Sequence, residues 1–250
     1  MLKLLRLICQ KILNLIYSLF NYPLQIPKKK YKFFKGGVEI NIHTNNALTY
    51  RRWKNFERTG KETLTLEWIN NFKEGSIFYD VGAHIGIFSI YAAIKKKLKV
   101  YAFEPEPNNF IELYNSSKLN HLNLVPIILP LYSQRKNLFF NPSSFGSAFS
   151  GHHLTEKKSK DDYFISLTDT IDNLIKNSVI EYPNYIKLDV FGNEKEILIG
   201  MENTLKSNEL KSINLELDSK EDLLFAEDYL RKFNFKLAKQ SDDLNFIFER

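Results

Sequence analysis

A single cysteine, Cys9, stands in a chain of 250 residues, which excludes an intramolecular disulfide and any multi-cysteine zinc site. That scarcity fits a reducing compartment, so the cytoplasm is the expected location. The five histidines show no HExxH or comparable ligand spacing, and no metal is expected; His152 and His153 read as a loop feature. A long basic stripe interleaved with aromatics is also missing, so the net charge of +6 gives no ground for nucleic-acid binding. The longest uncharged run near the start, residues 12–27, contains Pro23 and is too short to span a bilayer comfortably. No A-x-A-like cleavage site follows it, and Lys11 interrupts the apolar core that a signal peptide needs. What is present is ordinary globular composition, 44% hydrophobic and 26% charged, enough for one well-buried domain with appendages or two small ones.

The first 35 residues carry no acid at all. Lys3, Arg6, Lys11, Lys28, Lys29, Lys30, Lys32 and Lys35 stand there alone, either as a solvated tail or as a surface for anionic lipid or glycan. On a helical wheel Leu5, Ile8, Ile12, Ile16 and Leu19 share one apolar half with six further residues, and Lys3, Arg6 and Lys11 lie opposite. Residues 1–27 are therefore predicted as an amphipathic helix ended by Pro23 and Pro27. It suits packing on the domain, pairing with a second copy of the chain, or peripheral contact at the inner face of a membrane. Residues 28–30 read as a linker. Residues 28–72 form an expected extension, a hairpin turning at Gly36-Gly37 followed by a helix over residues 63–72.

From residue 73 short apolar runs alternate with amphipathic segments. Strands are expected at residues 77–81, 100–104, 124–131, 185–190, 212–217, 235–239 and 245–249. Helices fit residues 85–96, 108–120, 167–176, 194–207 and 220–234. Such alternation calls for an α/β fold, a mainly parallel Rossmann-like sheet with helices on both faces. Residues 133–165 break the pattern with FFNPSSFGSAFSG and read as an inserted hairpin or lid. Phe139, Phe140, Phe145 and Phe149 there suit either a sugar-stacking surface or a small core of their own.

In open α/β sheets the ligand lies off the carboxyl ends of the strands. Asp80, Glu104, Ser133, Asp189 and Glu216 occupy those ends, and four of the five are acids. The first turn reads Asp80-Val81-Gly82-Ala83-His84-Ile85-Gly86. It fails the G-x-G-x-x-G pattern of dinucleotide sites, and an acid ahead of the glycines suits a cation better than a phosphate. Glu104, at the end of the second strand, can accept hydrogen bonds from both hydroxyls of a ribose. A positively charged nucleoside without phosphate points to S-adenosylmethionine rather than NAD.

The segments FYDVGAHIGIFSIYAA, VYAFEPEPNNFIEL and YIKLDVFGNEKEILIGMENTL resemble, in order and spacing, the signature segments of the FkbM family of methyltransferases. The resemblance runs over about residues 61–217. It implies a class I methyltransferase fold for residues 73–250 and methyl transfer to a hydroxyl, commonly on a sugar or natural product. By the same resemblance Asp80, Gly82, His84, Gly86 and Glu104 line the cofactor, and KETLTLEWI adds Thr65; Ser133 joins them as a strand-end candidate. Two departures stand out: His84 where the family more often has Asn, and Phe191 where it usually carries an acid.

A sulfonium methyl is already electrophilic, so the demands are in-line alignment, exclusion of water and a base for the hydroxyl proton. Asp189 is the favoured base. Glu194 and Glu216 are further catalytic candidates, although Glu194 equally suits a first-turn acid at a helix dipole and Glu216 a loop cap. The leading expectation is an O-methyltransferase of a glycan or lipid-linked sugar. A natural-product or nitrogen methyltransferase and an inactive cofactor-binding scaffold remain open beside it, as does a homo-oligomer.

Overall fold

The computed structural model describes residues 25–58, 62–142, 151–158, 162–241 and 244–250. The predicted amphipathic helix therefore lies, up to residue 24, outside the described residues, as do Phe145 and Phe149. Among the described residues no helix is long and apolar enough to cross a membrane.

Strands β1 (Gln25–Lys35) and β2 (Val38–Asn46) pair antiparallel. Residues 28–30 belong to β1, with Lys29 opposite Thr44 and Lys30 opposite His43, so they are not a linker. The hairpin turns at Gly36 and Gly37, whose φ angles of 54° and 79° are left-handed values that glycine adopts without a steric cost. Helix α1 (Ala47–Arg58) follows, an element missed in the sequence because its buried stripe, Thr49, Trp53 and Phe56, carries a threonine and a cation, Arg52, among the rings. Helix α2 (Thr63–Asn70) comes next and buries Leu66, Trp68 and Ile69.

The core is a seven-stranded sheet. It is laid down as β3 (Ile77–Val81), helix α3 (Ile87–Lys96), β4 (Lys99–Phe103), helix α4 (Pro107–Leu119) and β5 (Leu124–Ile127). Between β5 and the next core strand run β6 (Asn137–Asn141), β7 (His153–Thr155) and β8 (Phe164–Leu167), an antiparallel sheet of its own in the order β7-β6-β8. Helix α5 (Ile171–Lys176) leads to β9 (Tyr185–Leu188), helices α6 (Glu194–Ile199) and α7 (Glu202–Lys206), and β10 (Ser212–Glu216). Helix α8 (Lys220–Arg231), β11 (Lys236–Gln240) and β12 (Asn245–Glu249) close the chain. The strand order is β11-β12-β10-β9-β3-β4-β5. Pairing is parallel from β10 to β5, and β12 runs antiparallel to both β10 and β11. Strand order reverses between β3 and β9, which places a crevice at their carboxyl ends.

Several boundaries differ from the sequence reading for local reasons. The expected helix over residues 194–207 breaks at Gly200, where a Cβ would stand 2.2 Å from the Tyr132 carbonyl oxygen. Leu167 ends β8, and α5 begins only after Thr170, whose hydroxyl accepts the Asn173 N–H at 2.9 Å. Strand β5 ends at Ile127, short of the expected Leu131, and Ser133 is consequently not at a strand end.

Side-chain alternation along the strands gives the sheet two unlike faces. Tyr79, Val81, Ile186, Leu188, Ile213 and Leu215 pack against α6 and α8 through Ile197, Leu198 and Leu230. The other face carries Phe78, Val100 and Ala102 and is covered by Trp53, Trp68, Ile69 and Tyr91. Phe33, Ile40 and Ile42 of the hairpin belong to that same buried cluster, so the N-terminal extension is a layer of the core. Within this second face runs a polar row: Asp80 is in register with Lys187, and Lys187 with Asn214.

Candidate functional site

The loop after β3 is fixed by its own backbone. Gly82, His84 and Gly86 have φ of 82°, 54° and 85°. Histidine is among the few side chains that tolerate this region, as asparagine does, so His84 keeps the loop shape that an Asn would give. The N–H groups of Gly82 and Ala83 donate to the Phe103 carbonyl at 3.0 and 2.9 Å. A Cβ at Gly82 would lie 1.9 Å from the Asp189 carbonyl oxygen, so this glycine is required by contact with the end of β9. Gly86 starts α3, and a Cβ there would meet Leu113 at 2.4 Å.

Glu104, just past β4, is buried and bound by backbone donors on both oxygens: His84 N–H at 2.7 Å and Glu106 N–H at 2.9 Å. Burial pushes its carboxyl up to about 8 against the pull of those bonds. Each oxygen retains a lone pair for a further donor.

Gly82, His84, Glu104, Asp189 and Glu216 meet around one cavity of about 430 Å³. That is within the usual size of small-molecule sites, roughly 300–1,000 Å³. The other expected site residues lie elsewhere. Asp80 lies outside the cavity lining, in the buried polar row with Lys187 and Asn214, and its carboxylate accepts the Ser89 hydroxyl at 2.5 Å. Burial raises the Asp80 carboxyl, while Lys187 opposes that rise. Thr65 is buried in the polar row, accepting the Asn214 amide at 3.1 Å. The Ser133 hydroxyl donates to Glu196 at 2.5 Å, outside the cavity lining. Glu194 folds back to accept the Val190 N–H at 3.0 Å, the first-turn role; burial brings its carboxyl to about 7.

Lys187 was not anticipated, although a lysine inside the apolar run Tyr185–Leu188 is itself a signal. It is 1% exposed, and its ammonium sits 2.5 Å from Asp189 Oδ2 and 5.1 Å from the Phe88 ring centre. Burial lowers its affinity for the proton, but the charges of Asp189 and Asp80 outweigh that and hold it at about 12. Glu216 is raised to about 8, by burial first and by the Asp189 charge second, with Lys187 opposing. Arg52 of α1 and Glu62 at the start of α2 also line the cavity, and no local pattern marked either of them. The β6–β8 insertion brings Phe140, His152 and Leu154 into the same wall. Phe140 packs with Leu138 and Leu154 as a small core and meets the tilted ring of His152 at 5.6 Å, while Phe191 meets His153 at 6.1 Å.

A parallel sheet with β12 reversed, a glycine loop after β3 and a carboxylate after β4 define the class I methyltransferase fold. The chain belongs to the FkbM methyltransferase family, whose domain model, "Methyltransferase FkbM domain", matches residues 80–237. It is thus an S-adenosylmethionine-dependent methyltransferase. Hexuronic acid methyltransferase AglP of Haloferax volcanii is 27% identical over 200 residues, which are 79% of this chain and 80% of that protein. The crystal structure of Methyltransferase FkbM from Methylobacillus flagellatus KT superposes with a TM-score of 0.53 at 17% identity, over 72% of this chain and 44% of that one. This chain therefore spans less than half of that longer structure, and the likeness is one of fold.

Proposed function

We propose that the chain transfers the methyl group to a hydroxyl oxygen of a sugar, with Glu216 receiving the proton. The observation that supports this most is the composition of the cavity. A backbone-fixed loop and Glu104 share it with two further carboxyls, Asp189 and Glu216, and with the rings of Phe140, His152 and Phe191. Aromatic rings beside acids suit a sugar, which offers C–H faces and hydroxyl edges together. The hexuronic acid named for the Haloferax relative belongs to the same chemical class.

In this reading Gly82, His84 and Glu104 hold the nucleoside of S-adenosylmethionine, Glu104 through two ribose hydroxyls. When bound, the cofactor supplies an electrophilic methyl group on a sulfonium. The chain must then exclude water, hold the acceptor hydroxyl and take its proton. Asp189, favoured from sequence, is engaged at 2.5 Å by the Lys187 ammonium and fits the holding task. Glu216, at about 8, is poised to gain or lose a proton near neutral pH, and the second task falls to it.

Mass spectrometry of glycans from cells with and without the protein tests the reading. Sugar residues lighter by one methylene in the deficient cells are expected. Unchanged glycans beside an altered small natural product would overturn it.

A further inference from the structure

Four carboxyl side chains line the cavity, Glu62, Glu104, Asp189 and Glu216, and the described lining sets one arginine or lysine against them, Arg52. Its position is unusual for a cation. Residues 49, 52, 53 and 56 fall on one stripe of α1, and Thr49, Trp53 and Phe56 of that stripe are buried. Arg52 therefore stands on the inward face of the helix, half-buried, while the adjacent Arg51 is exposed. The Asp189 charge reaches it and stabilises it, yet burial and Arg51 still leave the guanidinium below its ordinary value. A surface lysine would neutralise the acids at less desolvation cost. A planar guanidinium on an inward face is suited to something else, two parallel hydrogen bonds to a carboxylate.

We propose that Arg52 anchors a carboxylate of a bound reactant. The inference rests on reading this cavity as the site of both donor and sugar acceptor. That chemistry has two sources: the amino-acid carboxylate of the cofactor, or the carboxylate of an acidic sugar. In either case an anion entering a wall of four acids needs a fixed cation beside it.

The test compares ligands that differ only in the carboxyl-bearing part, by titration calorimetry on the full chain and on Arg52→Met. S-adenosylhomocysteine is set against 5′-methylthioadenosine, the same nucleoside thioether without the amino-acid end. With S-adenosylhomocysteine present, methyl glucuronide is set against methyl glucoside. If the cofactor is the source, Arg52→Met weakens S-adenosylhomocysteine roughly ten- to hundredfold and leaves methylthioadenosine unchanged. If the acceptor is the source, S-adenosylhomocysteine is unchanged and the preference for glucuronide over glucoside disappears. Equal weakening of both thioethers, or no change for any ligand, overturns the proposal. Should Arg52→Met fail to fold, Arg52→Lys keeps the charge and loses the fork, and the same discrimination should fall by a smaller factor. A wild-type chain that binds neither thioether would overturn the cavity reading, and this proposal with it. Loss confined to the variant leaves the reading standing.

Discussion

The two ends of the cavity are built by opposite means. Around Gly82, His84 and Glu104 the chain is held by its own backbone, and the Glu104 carboxyl is clasped by two N–H donors. Around Asp189 and Glu216 the wall is made of side chains from separate elements: Arg52 from α1, Glu62 before α2, Asp189 after β9 and Glu216 at the end of β10. Charge balance holds this second end, with Lys187 buried behind it between Asp80 and Asp189. The difference separates an end fixed by backbone donors from an end held by side-chain charges. Substitution of Glu104 should therefore read out in affinity, and substitution of Glu216 in rate.

The largest effect expected is on turnover. Glu216→Gln should lower kcat by about 10²–10⁴-fold, the usual contribution of a general base, while S-adenosylhomocysteine affinity stays within about threefold. Steady-state kinetics beside calorimetry checks this, and a fall in affinity as large as the fall in rate would erase the distinction between the ends.

Next comes the support behind the charged end. Lys187→Met should cost about 3–5 kcal/mol of folding stability in urea unfolding, because it leaves the buried Asp80 and the part-buried Asp189 without their cation. Adding Asp80→Asn should restore part of that loss, since Asp80 is fully buried in the same row. Strictly additive losses would show that the row is not one electrostatic unit.

Smaller again is the effect at the backbone-held end. Glu104→Gln should weaken S-adenosylhomocysteine by about 1–3 kcal/mol. The affinity of the wild type should also depend on pH. Glu104 in the free protein is protonated below about 8, and ligand hydroxyls donate to its ionised form. Affinity therefore rises as pH increases from 6 through 8, and this dependence should be reduced in Glu104→Gln. Its stability consequence has the opposite sign. A carboxyl raised above its ordinary 4.5 destabilises the folded, ligand-free chain progressively as pH rises from that value toward about 8, and the variant lacks that loss.

The same contrast explains what could be read from the amino-acid sequence. The glycine loop and Glu104 lie in two short segments whose meaning is local, so the acid-led turn and the acid after the second strand point to the end of the sheet where the cavity lies. Strand-helix alternation gives the parallel sheet for the same reason. Asp80 was assigned to the ligand because it precedes the glycines, but it lies in the buried row below the cavity lining, accepting the Ser89 hydroxyl with Lys187 in register beside it. Ser133 depended on a strand that ends at Ile127, and the Gly200 break depended on contact with Tyr132. Arg52 and Glu62 join the cavity only through packing of the N-terminal layer, and nothing in their neighbours along the chain announces it. Lys187 is the instructive middle case: its place in an apolar strand was visible, and its partners became visible only with the register of β3, β9 and β10.

The most direct test of this division is one titration series, S-adenosylhomocysteine against the wild type, Glu104→Gln and Glu216→Gln under identical conditions. The account predicts that Glu104→Gln alone loses about 1–3 kcal/mol of binding free energy, with Glu216→Gln close to the wild type. Equal losses in both variants, or a loss confined to Glu216→Gln, would contradict it.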